Sequence, residues 1–129
     1  MVKSGKVVVF DIDGTLCEIK SPGQSYRDVK PDEEMLKFLH HLQRSGVYII
    51  LHSSRQMRTY EGNMGKILAN TALTLHKWLD DYNIPFDELH LGKPWCSDGF
   101  YVDDKALRPN EVKGKTYDEC VKYLKEVSR

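Results

Sequence analysis

The feature that most restricts this chain is a pair of short, unbroken apolar runs separated by a helical pattern. "KVVVF" (6–10) and "VYIIL" (47–51) carry no polar break. A strand with one face in water alternates apolar and polar residues, so an unbroken run is expected where both faces are covered. Between the two lies "KPDEEMLKFLHHLQRSG" (30–46), with Pro31 near a helix start and Asp32, Glu33 and Glu34 in the first turn. Met35, Leu36, Leu39 and Leu42 follow helical spacing, and Gly46 stands where a C-terminal cap would. A longer helix is predicted over 65–83, with Leu68, Ala72, Leu75, Leu79 and Tyr82 as its apolar stripe. "ELHL" (88–91) and "FYV" (100–102) are predicted as short strands. The chain is expected to close with a helix over 116–127. Thr116 and Glu119 form its capping box, and Tyr117, Cys120, Val121 and Leu124 face inward. Such alternation predicts an α/β fold with a mainly parallel sheet and helices on both faces.

Composition removes several function classes. At 129 residues and 40% hydrophobic content the chain supports one packed domain, 1–129. Nineteen basic and nineteen acidic residues balance, so bulk charge suggests no nucleic-acid partner. The longest apolar runs are about five residues, far short of the ~20 that a membrane helix needs. "MVKSGKVVVFDID" has no small-residue cleavage site, so no signal peptide is expected. Cys17, Cys96 and Cys120 have neither metal-knuckle nor redox-motif spacing and are read as reduced, half-buried or buried thiols of a cytoplasmic protein. His40, His41, His52, His76 and His90 show no zinc spacing.

The polar residues gather at the strand ends. Ligand sites of open parallel sheets lie beyond the carboxyl ends of the strands. There the sequence puts Asp11 and Asp13, then "HSSR" (52–55), then "GKP" (92–94), then "DDK" (103–105). Asp13-Gly14 is an ordinary turn pair, but Asp11 stands between Phe10 and Ile12, where the run is still apolar. Four carboxylates along one rim imply a divalent cation. An all-oxygen set suits Mg²⁺ rather than zinc.

"DIDGT", a strand leading to Ser53, then Lys93, then Asp103-Asp104 resembles the four ordered motifs of the haloacid dehalogenase (HAD) superfamily. The wording "HSSRQMRTYEGNMGKI" and "LHLGKPWCSDGFYVDDKALRP" is similar to a small subgroup, the phosphatases associated with capsular polysaccharide biosynthesis. The resemblance implies a HAD-like Rossmannoid three-layer sandwich without a large cap domain. It implies a Mg²⁺-dependent phosphatase acting on a phosphate monoester, such as a phosphorylated sugar or polysaccharide precursor. Asp11 would attack phosphorus to form an aspartyl-phosphate, and Asp13 would protonate the leaving oxygen and later activate water. Ser53 would hold phosphoryl oxygens and Lys93 would neutralise charge. Asp11, the Asp13 carbonyl and Asp103 would ligate Mg²⁺, with Asp104 as further support. Asp at position 13, where the ion-pump relatives carry Thr, favours phosphate-ester hydrolysis or transfer between oxygens.

Neither 16–47 nor 55–92 has room for a folded cap. Residues 17–30 read as a flap, and the open site implies a large substrate or a second copy of the chain as a lid. Ser54, Arg55, Arg58 and Tyr60 stand just beyond Ser53, and Trp95 follows Lys93-Pro94; these are the expected substrate contacts. A solvated basic loop is the competing reading for 55–66. Two other function classes stand beside the phosphatase: a phosphoacceptor module of the response-regulator kind, and an inactive relative that keeps the fold. The acid pair at the first strand argues against the former, since that class carries its phosphoacceptor alone on the third.

Overall fold

A computed structural model describes residues 5–127. Strands β1 (Val7–Asp11), β2 (Tyr48–Ser53) and β3 (Glu88–Leu91) form a parallel sheet in that order. Helix α1 (Glu33–Arg44) joins β1 to β2. Its N-cap is Asp32, whose carboxylate accepts from the Met35 N–H at 3.0 Å. Gly46 (φ +75°) turns the chain into β2. The segment from β2 to β3 is α2 (Met64–Ile67), a π-helical turn (Leu68–Ala72) and α3 (Leu73–Asp81). Helices α4 (Pro109–Val112) and α5 (Tyr117–Val127) follow, α5 capped as expected by Thr116 and Glu119.

The π-turn corrects the predicted stripe. A wider turn adds a residue and rotates everything before it relative to α3. Ile67, Thr71, Leu75 and Leu79 are buried, while Leu68 is exposed. Trp78 is buried as well, and its Nε1–H donates to the Val29 carbonyl at 2.6 Å.

Strand alternation gives the sheet two unlike faces. Phe10, Ile49, Leu51 and Ser53 share one, buried in a core with Phe38, Leu39, Leu42, Leu75 and Leu79. Each fully buried leucine contributes about 1.5–3 kcal/mol. The other face carries Val7, Val9, Asp11, Tyr48, Ile50, His52, Glu88 and His90, and none of these is buried. The third layer of the expected sandwich therefore has no counterpart among the described residues. Nor do residues 100–102 form the expected fourth strand. Phe100 and Val102 are more than 80% exposed, and the Tyr101 hydroxyl donates to the Pro94 carbonyl at 2.6 Å. Three apolar residues between Gly99 and Asp103 make few ladder bonds, and here the tyrosine is turned onto its own loop. No cap intervenes between the strands, and no helix of the described residues is long and apolar enough to cross a membrane.

Candidate active site

The site begins where β1 stops. Ile12 is fully buried, and its carbonyl accepts from the N–H groups of Thr15, Leu16 and Cys17 at 3.1, 2.8 and 3.3 Å. Gly14 (φ +85°) makes that tight reversal, a conformation costly for a residue with a Cβ. The chain wraps around one buried carbonyl, which fixes Asp11 on one side of it and Asp13 on the other. Both line a cavity of about 360 Å³ together with Ser54, Arg55, Arg58, Lys93 and Trp95.

Asp11 is held at both oxygens. Lys93 Nζ stands 3.3 Å from Oδ1, and the Thr15 hydroxyl donates to Oδ2 at 3.1 Å. Lys93 reaches this position because β3 is followed by Gly92 (φ +83°), and the Lys93 N–H donates to the Ser53 carbonyl at 3.0 Å. That bond ties the ends of β2 and β3. A Cβ added at Gly92 would stand 2.5 Å from Met64 Sδ, a flexible side chain that would have to move aside, so it is the positive φ that calls for glycine here.

Asp13 is held differently. Arg55 donates to it twice, Nη2 to Oδ1 at 2.8 Å and Nε to Oδ2 at 3.1 Å. The Cys17 thiol also reaches Oδ1 at 3.7 Å. Burial, then the charge of Asp13, pushes that thiol up to about 12, so it stays protonated and able to donate.

Several predicted residues sit elsewhere than expected. Strand β2 runs two residues further than predicted, and alternation turns Ser53 to the face opposite Asp11. Ser53 is 1% exposed, and its Oγ accepts from the Arg55 N–H at 3.0 Å rather than opening to the cavity. Arg55 was expected as a substrate contact; it is 4% exposed and committed to Asp13. Arg58 is exposed, its guanidinium 5.6 Å from the Trp95 ring centre. Tyr60 does not line the cavity. His52 shares a face with Asp11 but points to His90, with ring centres 6.3 Å apart. Burial first, then Lys93, lowers its pKa, which favours the neutral ring. Asp103 and Asp104 are exposed, and Asp103 Oδ1 accepts from the Lys105 N–H at 2.9 Å. Among the described residues no group of three or more His, Cys, Asp or Glu is placed to hold a metal. The donors already at the cavity are hard oxygens, of the kind Mg²⁺ takes.

Two aromatic residues of the cavity wall were missed. Tyr26, in the 3₁₀ turn Tyr26–Asp28, places its ring 4.1 Å from the Arg55 guanidinium. Tyr101 lies 4.4 Å from Lys93 Nζ, ring centre to nitrogen. Both belong to loops without periodicity, where no pattern assigns direction.

Among solved structures, the chain is similar to the crystal structure of a structural-genomics target from Vibrio cholerae. The two are 38% identical, 94% of this chain and 98% of that one are covered, and the TM-score is 0.87. Identity and coverage of that order make the two chains members of one family. That protein's name states no activity. No family model and no curated protein matches the chain.

Proposed function

We propose that this chain is a Mg²⁺-dependent phosphatase of the haloacid dehalogenase type, acting on a phosphate monoester. The observation that carries the reading is the pairing of two carboxylates in one cavity with unlike partners. Asp11 faces an ammonium that also reaches the cavity, whereas Asp13 is gripped from behind by a buried guanidinium. A nucleophile needs charge neutralisation that can be shared with the incoming phosphoryl group, and Lys93 supplies it. An acid–base residue needs fixed direction, and Arg55 supplies that.

In the first step an Asp11 oxygen attacks phosphorus and the P–O bond to the alcohol breaks. Asp13 enters this step as the carboxylic acid, its proton on a lone pair that Arg55 does not use, and gives that proton to the departing oxygen. In the second, water attacks the phosphorus of aspartyl-phosphate and gives its proton to Asp13. Inorganic phosphate leaves and Asp11 is regenerated. Thr15 keeps one Asp11 oxygen turned away while the other attacks. Asp11, the Asp13 carbonyl and Asp103, with Asp104 beside it, are the residues that would hold Mg²⁺, which when bound would neutralise Asp11 and the phosphoryl group. Asp103 and Asp104 stand on the exposed stretch after residues 100–102 and would have to join the other donors. Trp95 and Arg58 at the rim suit a substrate with a ring and a second anionic group, as in a phosphorylated sugar or glycan precursor.

The test is a panel of sugar and alkyl phosphates assayed for phosphate release with Mg²⁺. Hydrolysis should vanish in EDTA, return with Mg²⁺, and recover poorly with Ca²⁺, whose larger and looser coordination misplaces the nucleophile. Undiminished turnover in EDTA, or no hydrolysis of any ester, would overturn the reading.

A further inference from the structure

Burying an arginine is costly unless its charge is used. Arg55 is nine-tenths buried, and its Nη1 has no hydrogen-bond partner. Its other donors form the two-bonded grip on Asp13. The flat face of the guanidinium is covered by Tyr26 at 4.1 Å, with Trp78 further off at 6.0 Å. Aromatic faces attract a cation and exclude water from it, which offsets part of the burial cost.

Tyr26 is itself anchored on both sides. Ser25 before it and Asp28 after it form a reciprocal cap, with Arg27 N–H to Ser25 Oγ at 3.2 Å and Ser25 N–H to Asp28 Oδ2 at 3.4 Å. After it, Val29 is buried and its carbonyl accepts from Trp78. The ring is thus a fixed wall supplied by the flap, and the guanidinium is clamped between that wall and Asp13.

We propose that Tyr26 and Arg55 form a positioning pair for Asp13, the ring setting the guanidinium plane and the guanidinium aiming the carboxylate at the leaving oxygen. The inference rests on the phosphatase reading, in which Asp13 donates the proton. Both side chains line the cavity, and in this role neither bonds to the reacting atoms. Their loss should therefore matter in proportion to how much the leaving group needs a proton.

The experiment compares an alkyl phosphate, whose alkoxide needs protonation, with 2,4-dinitrophenyl phosphate, whose phenolate does not. Single-turnover release of the leaving group isolates the first step, and circular dichroism checks the fold. Tyr26→Leu should slow alkyl ester cleavage about 10–100-fold, a substantial part of what a general acid contributes. The aryl ester should lose less than about threefold, and KM should move less than about twofold. Tyr26→Phe keeps the ring and should recover the alkyl rate to within about twofold. Arg55→Lys, which loses the two-bonded grip, should show the same selective loss. If Arg55→Lys does not fold, the two Tyr26 variants carry the test. Equal losses on both esters, a change in KM alone, or an alkyl rate untouched by Tyr26→Leu would overturn the proposal while leaving the phosphatase reading in place. A wild-type protein that cleaves neither ester would overturn both.

Discussion

Replacing Asp11 by asparagine separates chemistry from structure at the atom where the proposed reaction starts. Asparagine has the same shape, and its oxygen can stay toward Lys93 while its amide donates to the Thr15 oxygen in place of accepting from it. What is lost is a charge. At an effective dielectric near 20, the bare attraction across the 3.3 Å between Lys93 and Asp11 is about 5 kcal/mol. Desolvation and screening at this part-exposed pair reduce the net to about 1 kcal/mol or less. Asp11→Asn should therefore shift stability by no more than about 1 kcal/mol, measured by urea unfolding. Phosphate release should fall at least about 10³-fold, which is about 4 kcal/mol of barrier, because an amide oxygen is too weak a nucleophile. Activity within about tenfold of wild type would remove Asp11 from the chemistry. A loss of several kcal/mol in stability would show that its role in the fold had been misread.

Three further outcomes follow from the same geometry. Arg58→Ala should raise KM for a doubly anionic sugar phosphate several-fold and leave an aryl phosphate unchanged; equal effects on kcat for both would place Arg58 in the chemical step. Iodoacetamide at pH 8 should modify Cys96, which is half-buried, and spare Cys17, whose thiol is held up to about 12, and Cys120, whose thiol burial also pushes up; peptide mass spectrometry reads the pattern. Gly92→Ala forces a Cβ onto a left-handed backbone beside Met64, so it should cost about 1–3 kcal/mol and lower kcat by misdirecting Lys93; an unchanged melting profile and unchanged kcat would contradict this.

What could be read from sequence divides along lines of locality. Helix α1 was legible because its cap, acidic first turn and apolar spacing all lie within one segment. Strand β3 was legible because four residues stand between clear loops. The first part of the longer helix's stripe came out one residue off, at Leu68 and Ala72 rather than Ile67 and Thr71, while Leu75 and Leu79 are buried as expected; a π-turn depends on packing and leaves no mark in the spacing. Residues 100–102 read as a strand on composition, but pairing needs a neighbour, and composition does not name one. In the site, Asp11, Asp13, Ser54, Arg58, Lys93 and Trp95 do share one cavity. The direction of each side chain was the harder part. Where β2 ends decides which way Ser53 turns, and a two-residue extension of the strand moved it from cavity to core. Arg55 looked like any basic loop residue, because its acid and its ring are 42 and 29 positions away in sequence, counted from Asp13 and Tyr26.

The flap has a narrow neck. Cys17 and Pro31 are paired by an isolated antiparallel bridge, and the Asp32 N–H donates to the Leu16 carbonyl at 2.7 Å. Everything from 18 to 30 leaves and re-enters the fold at this one clasp. Closing a longer excursion there costs only about 0.6 kcal/mol for each doubling of its length. The stretch 18–24 is thus a replaceable cassette, open to lengthening, shortening or exchange between lineages with the frame beneath it left intact. The stretch 25–30, capped by Ser25 and bound to Arg55 through Tyr26 and to Trp78 through Val29, is its fixed root. In the proposed phosphatase, substrate choice would diversify at the tip of this loop, while its root is inherited with the residues it packs on.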